Sequence, residues 1–135
     1  RDFQVLANLY VTKSDFDKAV EYYLKAATVI RISSGLDHPI FIQIQEEMGQ
    51  LFESLNRLVE AERAYRLAVQ SHESVLDLEP HYLAVAQVRL GRILLIRGKK
   101  EEAIRLLNQA KSVFETDPTR FAERLAEVDT LLRQD

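Results

Sequence analysis

The stretch Asp15-Phe16-Asp17-Lys18-Ala19-Val20-Glu21-Tyr22-Tyr23-Leu24-Lys25-Ala26-Ala27 has two counterparts further along the chain. They are Arg57-Leu58-Val59-Glu60-Ala61-Glu62-Arg63-Ala64-Tyr65-Arg66-Leu67-Ala68-Val69 and Lys99-Lys100-Glu101-Glu102-Ala103-Ile104-Arg105-Leu106-Leu107-Asn108-Gln109-Ala110-Lys111. In each, an alanine is followed by a bulky residue four positions on and a second alanine three beyond that. The leading alanines Ala19, Ala61 and Ala103 stand 42 residues apart at both steps, without a gap. Upstream the same register holds: Leu6, Met48 and Leu90 align, as do Ala7, Gly49 and Gly91, and Tyr10, Phe52 and Leu94. Ser14, Asn56 and Gly98 align as small or turn-forming residues. A self-similar period of this length marks a helical repeat array.

Each unit reads as two helices. Leu6, Leu9, Tyr10 and Lys13 have helical spacing on a first helix that stops near Ser14, Asn56 or Gly98. Ala19, Tyr23, Ala26 and Ile30 recur at steps of 4, 3 and 4 on a second. Small residues let the two helices approach, and the large side chains fill the space beside them. Pro39 and Pro80 mark unit boundaries, with Asp37 expected to cap the first of these helix starts and Glu79 a poorer cap for the other. Thr116-Asp117-Pro118 is a third start signal, opening a last helix striped by Phe121, Leu125, Val128 and Leu132. Repeat arrays end in such polar-faced covering elements.

Composition agrees. The 135 residues suffice for one domain, read here as units of about 1–38, 39–80 and 81–116 and a capping helix of about 117–134. Only four glycines and three prolines disfavour turn-rich β folds. No apolar run approaches a membrane span, so no membrane insertion is expected. A balance of 18 basic against 21 acidic residues, net −3, builds no positive field for nucleic acid. With no cysteine there is no disulfide, thiol nucleophile or thiolate-bound zinc, and a cytoplasmic setting fits. The chain opens on Arg1, which points to a processed chain or an excised piece.

These columns resemble the tetratricopeptide repeat, whose pattern runs W-x₂-L-G-x₂-Y…A-x₃-F…P. Met48-Gly49, Phe52, Ala61, Tyr65 and Ala68 match it in the second unit, with Gln45 where Trp would stand. Phe3, Leu6-Ala7, Tyr10, Ala19, Tyr23 and Ala26 match in the first, and Gln87, Leu90-Gly91, Leu94, Ala103, Leu107 and Ala110 in the third. The 42-residue period and the Gly35-to-Pro39 connection are similar to the kinesin-light-chain type of the repeat. The resemblance implies an all-α, right-handed α-solenoid of antiparallel helix pairs with a C-terminal capping helix. It also implies a binding mode, in which a peptide of a partner protein lies on a concave surface lined by the first helices.

On those helices the face opposite the core stripe offers Arg1, Gln4, Asn8, Val11 and Thr12 in the first unit. It offers Gln43, Glu46, Gln50, Glu53 and Ser54 in the second, and Val85, Val88, Arg89, Arg92, Leu95 and Ile96 in the third. The expected groove is therefore Gln4, Asn8, Val11, Glu46, Gln50, Glu53, Val88, Arg89 and Arg92. Asn8 stands where the family has an asparagine that bonds peptide backbone. The family's clamp for a terminal carboxylate is incomplete, because Gln4 and Val85 replace its lysines. Arg92 has an alternative role as an ion-pair partner of Glu46 or Glu53, and Val88, Leu95 and Ile96 as core beneath the last helix.

No catalytic constellation is legible, so the chain is read as a non-enzyme without cofactor or metal. His38 belongs to a helix-start loop, and neither His72-Glu73 nor His81 has zinc-ligand spacing. Ser33-Ser34-Gly35 lacks the Lys-Ser/Thr of a phosphate loop. Glu46-Glu47 and Glu101-Glu102 fall on polar faces. The expected function is a protein–protein interaction scaffold. Two alternatives stand beside it: a docking or regulatory domain of a larger enzyme or signalling protein, and a module that self-associates through the uncapped first unit at Phe3, Leu6 and Tyr10.

Overall fold

A chain that turns back every 42 residues needs a helix stop at each turn. In the computed structural model that stop is one backbone motif built three times. The structure describes residues 2–36, 38–75 and 79–133. At the first turn the N–H of Ser14 donates to the carbonyl of Val11 (3.0 Å) and that of Asp15 to Tyr10 (2.9 Å). Asn56 to Glu53 and Arg57 to Phe52 repeat this at 3.0 and 2.8 Å, and Gly98 to Leu95 and Lys99 to Leu94 at 3.1 and 2.8 Å. This crossed pair satisfies carbonyls that a helix end leaves open, and requires a left-handed residue at its centre. Ser14 and Asn56 both sit at φ 59° and Gly98 at φ 80°. Glycine adopts that region most readily, with asparagine next and serine at a higher cost.

The described helices are α1 (Asp2–Thr12), α2 (Phe16–Ser34), α3 (Pro39–Ser54), α4 (Leu58–Ser74), α5 (Pro80–Ile96), α6 (Lys100–Phe114) and α7 (Ala122–Leu132). No strand occurs among the described residues. The fold is all-α, of the repeat-solenoid class. Its helices group into two compact units, residues 1–74 and residues 75–135.

In the first unit α1 pairs with α2, α2 with α3, and α3 with α4. The alanine column is its spine: Ala19, Ala26, Ala61 and Ala68 are wholly buried. Gly49 lies under the ring of Tyr65, where an added Cβ would stand 2.5 Å from Cε1. Phe3 and Tyr10 both stack on Tyr22, with centroids 6.0 and 5.4 Å away, and Lys18 and Lys25 lie over these rings. Phe3, Tyr10 and Tyr22 are thus half-buried against one another. At the start of α3 the cap is His38, whose Nδ1 accepts the N–H of Ile40 at 3.1 Å, with Pro39 in the first turn. Asp37, the expected cap, lies outside the described residues.

In the second unit α5, α6 and α7 enclose Ala84, Val88, Leu107, Ala110, Phe114, Val128 and Leu131. Phe121, Leu125 and Leu132 pack against this cluster, so the expected apolar stripe faces it. Pro80 opens α5 as expected, and Glu79 gives no side-chain cap. Its carboxylate instead meets His81 Nδ1 at 3.1 Å and Arg120 at 3.9 Å. The last helix starts later than Thr116-Asp117-Pro118 suggests. Asp117 accepts the Arg120 N–H (3.2 Å) and closes a single turn, but Phe121 at φ −105°, ψ 26° breaks it. Its ring turns onto Phe114 and His81, with centroids 5.2 and 5.5 Å away, and the helix begins at Ala122.

Two sets of substitutions test this frame by denaturant unfolding. Ser14→Gly and Asn56→Gly raise stability, by up to about 1 kcal/mol each, whereas Gly98→Ala lowers it by about 1 kcal/mol through backbone strain alone. Nothing lies within 4 Å of a Cβ at Gly98, so no clash confounds that change. Gly49→Ala drives a methyl into a buried ring and costs about 1–3 kcal/mol. Gly91→Ala costs less, because its Cβ would stand 3.0 Å from Cγ and Cδ2 of Leu107, against 2.5 Å from the Tyr65 ring at Gly49.

Candidate functional site

The first helices of the first unit are built from residues whose apolar stripe is already committed inward, which leaves their amides and carboxylates outward. Asn8 is exposed, but its Oδ1 accepts the hydroxyl of Tyr23 at 2.6 Å. Tyr23 itself is buried in the alanine column. A buried tyrosine needs a partner for its hydroxyl, and here the partner is a groove residue. The bond fixes the orientation of the Asn8 amide, whose nitrogen makes no hydrogen bond among the described residues. One repeat on, Gln50 stands at the same position, exposed and likewise without a side-chain bond among the described residues.

Tyr65, the repeat counterpart of Tyr23, donates to Glu53 Oε1 at 3.0 Å. Gln4 reaches from α1 to α3 and donates to both oxygens of Glu47, at 3.3 and 3.4 Å. Glu46 meets the largely buried His72 of α4, its Oε2 at 3.5 Å from Nε2. Val11 is half-buried. Gln4, Asn8, Val11, Glu46, Gln50 and Glu53 thus belong to one unit, and three of them, Asn8, Glu46 and Glu53, are held from behind by second-helix side chains. Neither α1 nor α3 carries a lysine or arginine, while α3 carries Glu46, Glu47 and Glu53. Arg1 lies outside the described residues.

Burial pushes the Tyr23 hydroxyl up to about 12, with the nearby Glu47 carboxylate adding to the effect by charge and hydrogen bonding. The neutral phenol is therefore the form the fold holds.

The second unit treats its part of the expected surface differently. Val88 is only 2% exposed, in the cluster with Phe114 and Val128, so it is core and not groove. Val85 and Leu95 pack against the same cluster, while Ile96 remains exposed. The reason is α7: its apolar stripe has to be buried, and the α5 face supplies the surface. Arg92 donates to Glu127 of α7 at 3.2 Å, and Arg124 reaches the same carboxylate at 3.8 Å. Arg89 is half-buried. Sequence reading has no access to the Arg92–Glu127 pair, which joins positions 35 residues apart. It also passes over Glu47, Tyr23 and Tyr65 as site elements. The signal for the tyrosines is present, since a hydroxyl in an otherwise alanine-lined column has to find an acceptor on the facing helix.

Among the described residues no group of three or more His, Asp or Glu side chains is placed to hold a metal ion. No described helix is long and apolar enough to cross a membrane.

Paired helices at a 42-residue period, with small residues under large ones and a shared turn motif, define a helical-repeat protein. The chain belongs to the tetratricopeptide repeat family, whose profile matches residues 4–74. Tetratricopeptide repeats in general mediate protein–protein interaction. Protein KINESIN LIGHT CHAIN-RELATED 3 of Arabidopsis thaliana is 25% identical over 114 residues, covering 84% of this chain. The chain spans only 18% of that relative's length. BtubC (BKLC) from P. vanneervenii superposes with a TM-score of 0.77 at 18% identity, over 84% of this chain and 46% of its own. A putative kinesin light chain with nearly identical TPR-like repeats from Podosopora anserina gives 0.71 at 21%, over 97% and 65%. These likenesses establish the kinesin-light-chain-like form of the repeat.

The tyrosine provides a pH test. Its raised value means the folded state holds the proton more tightly than the unfolded chain, so the stability it adds is complete below about pH 10, the unfolded value. It is lost as pH rises towards the folded value of about 12. Urea unfolding from pH 8 to 12 should show wild type losing stability above pH 10 more steeply than Tyr23→Phe. Parallel curves would remove the buried phenol from the account.

Proposed function

We propose that the chain is a non-catalytic interaction scaffold whose first unit binds a peptide segment of a partner protein on the α1/α3 face. The observation that carries this reading is Asn8, locked by Tyr23 through its oxygen with its amide nitrogen left over, and Gln50 one repeat on. Side-chain amides at a repeat spacing offer both donor and acceptor to an extended backbone, whatever its sequence. An orientation fixed before binding lowers the ordering cost of the complex. Among the described residues α1 and α3 carry glutamates and no lysine or arginine, which favours a neutral or basic segment over an acidic one.

In this reading the peptide site is confined to the first unit. In the second unit the α5 face is given over to α7 through Val88, and Arg92 has its charge met by Glu127.

The test is a peptide array of varied net charge, followed by fluorescence anisotropy on the best binder. Gln50→Ala, at an exposed position, should weaken binding about 5- to 30-fold, a loss of roughly 1–2 kcal/mol, without shifting the melting temperature. Asn8→Ala should weaken binding and also lower stability, because it removes the acceptor that the Tyr23 hydroxyl bonds at 2.6 Å. Lysine- and arginine-bearing peptides should outrank acidic ones, with the preference fading as salt rises. Unchanged affinity in both variants would remove the α1/α3 face as the site.

A further inference from the structure

Internal repeats make each position its own control. On α2 the outward residues Leu24, Val29 and Ile32 are 53%, 45% and 78% exposed. One unit on, the same positions hold Arg66, Ser71 and Ser74, and two units on Asn108, Val113 and Thr116. Folding a helix pair of this kind therefore does not call for an apolar side chain at the Leu24 or Ile32 position, whereas at the Val29 position Ser71 is buried and Val113 packs against the core of its own unit. Clustered apolar exposure that folding does not explain marks an interaction surface.

The surroundings have the relief of a helix-packing face. A notch of about 320 Å³ lies on one side of α2, lined by Phe3, Thr28 and Val29. Another of about 220 Å³ lies on the other side, lined by Val20, Met48 and Phe52, and Leu24 borders both. A ridge between two notches matches the ridge-into-groove packing of a second helix.

The charges on the same helix identify that second helix. Glu21 and Arg31 bracket Leu24 and Thr28, the acid towards the start of α2 and the base towards its end. Arg31 has no ion pair among the described residues, and Glu21 has one exposed contact, with Lys25 at 3.6 Å. Such an order is complementary to its own reverse. Across a twofold axis each Glu21 lies beside Arg31 of the other copy, and the apolar residues between them meet. We propose that the chain self-associates through α2, with two copies pairing antiparallel along the Leu24–Val29–Ile32 face. The surface is on a second helix, so the proposal does not depend on the peptide-binding reading. It is centred on α2, whereas an association through Phe3, Leu6 and Tyr10 would be centred on α1.

Sedimentation velocity on the full chain over a concentration series tests it. Wild type should dimerise, and Ile32→Glu should stay monomeric with an unchanged circular dichroism spectrum and melting curve. Glu21→Arg should weaken dimerisation at least about tenfold by setting arginine against arginine, and Glu21→Arg/Arg31→Glu should restore it. The chain has no cysteine, so Thr28→Cys, near the axis, reports directly by forming a disulfide-linked dimer under mild oxidation. A wild type that stays monomeric at every concentration overturns the proposal. So does a dimer that survives Ile32→Glu, or a charge swap that restores nothing.

Discussion

Two helices can share a column of side chains only if one of them gives up its own bulk, and this exchange underlies each helix pair here. Gly49 surrenders a side chain so that the Tyr65 ring can lie on the α3 backbone. Gly91 does the same for Leu107, and the six column alanines at positions 19, 26, 61, 68, 103 and 110 are wholly buried on the second helices. Dispersion and exclusion of water then act over a short interaxial distance, where each buried atom has close neighbours. The turn motif at Ser14, Asn56 and Gly98 makes the arrangement repeatable, because it returns the chain at the same residue of every unit.

The same exchange produces the candidate site. A tyrosine in the column is long enough for its hydroxyl to cross to the outward face of the first helix, where it holds Asn8 in one unit and Glu53 in the next. Packing and recognition thus meet in one side chain: its ring fills the helix interface and its oxygen sets the direction of a surface group. Leu107, at the third occurrence, fills the same space with no polar end. There the first-helix face is taken up by α7, and an apolar column residue is the consistent choice.

Repetition also separates what the fold demands from what a particular unit adds. Positions that stay apolar or small in all three copies, such as Ala19, Ala61 and Ala103, answer to packing. Positions whose character changes, such as Leu24, Arg66 and Asn108, are released from packing and are open to another use. The outer face of α2 is the clearest such departure, and the glutamates on the cation-free first helices of the first unit are a second.

The architecture was legible in the sequence, because 3.6-residue periodicity, the 42-residue step and the small-residue columns are local or evenly repeated properties. Helix starts at Pro39 and Pro80 and stops near Ser14, Asn56 and Gly98 follow from backbone preferences of single residues. The late start of α7 was not legible, since the packing of Phe121 on Phe114 and His81 overrides the turn that Asp117 and Pro118 initiate. Nor was the capping by His38 or the pairing of Arg92 with Glu127, and the sequence left Val88 open between groove and core beneath the last helix. Each depends on which surfaces meet after the helices have formed, and periodicity shows that a face is apolar without showing what covers it. The sequence by itself determined the helices, their repeat and the class of fold. The tertiary structure decided which polar side chains are held in place by buried partners, because a hydrogen bond or an ion pair needs two groups brought together in space.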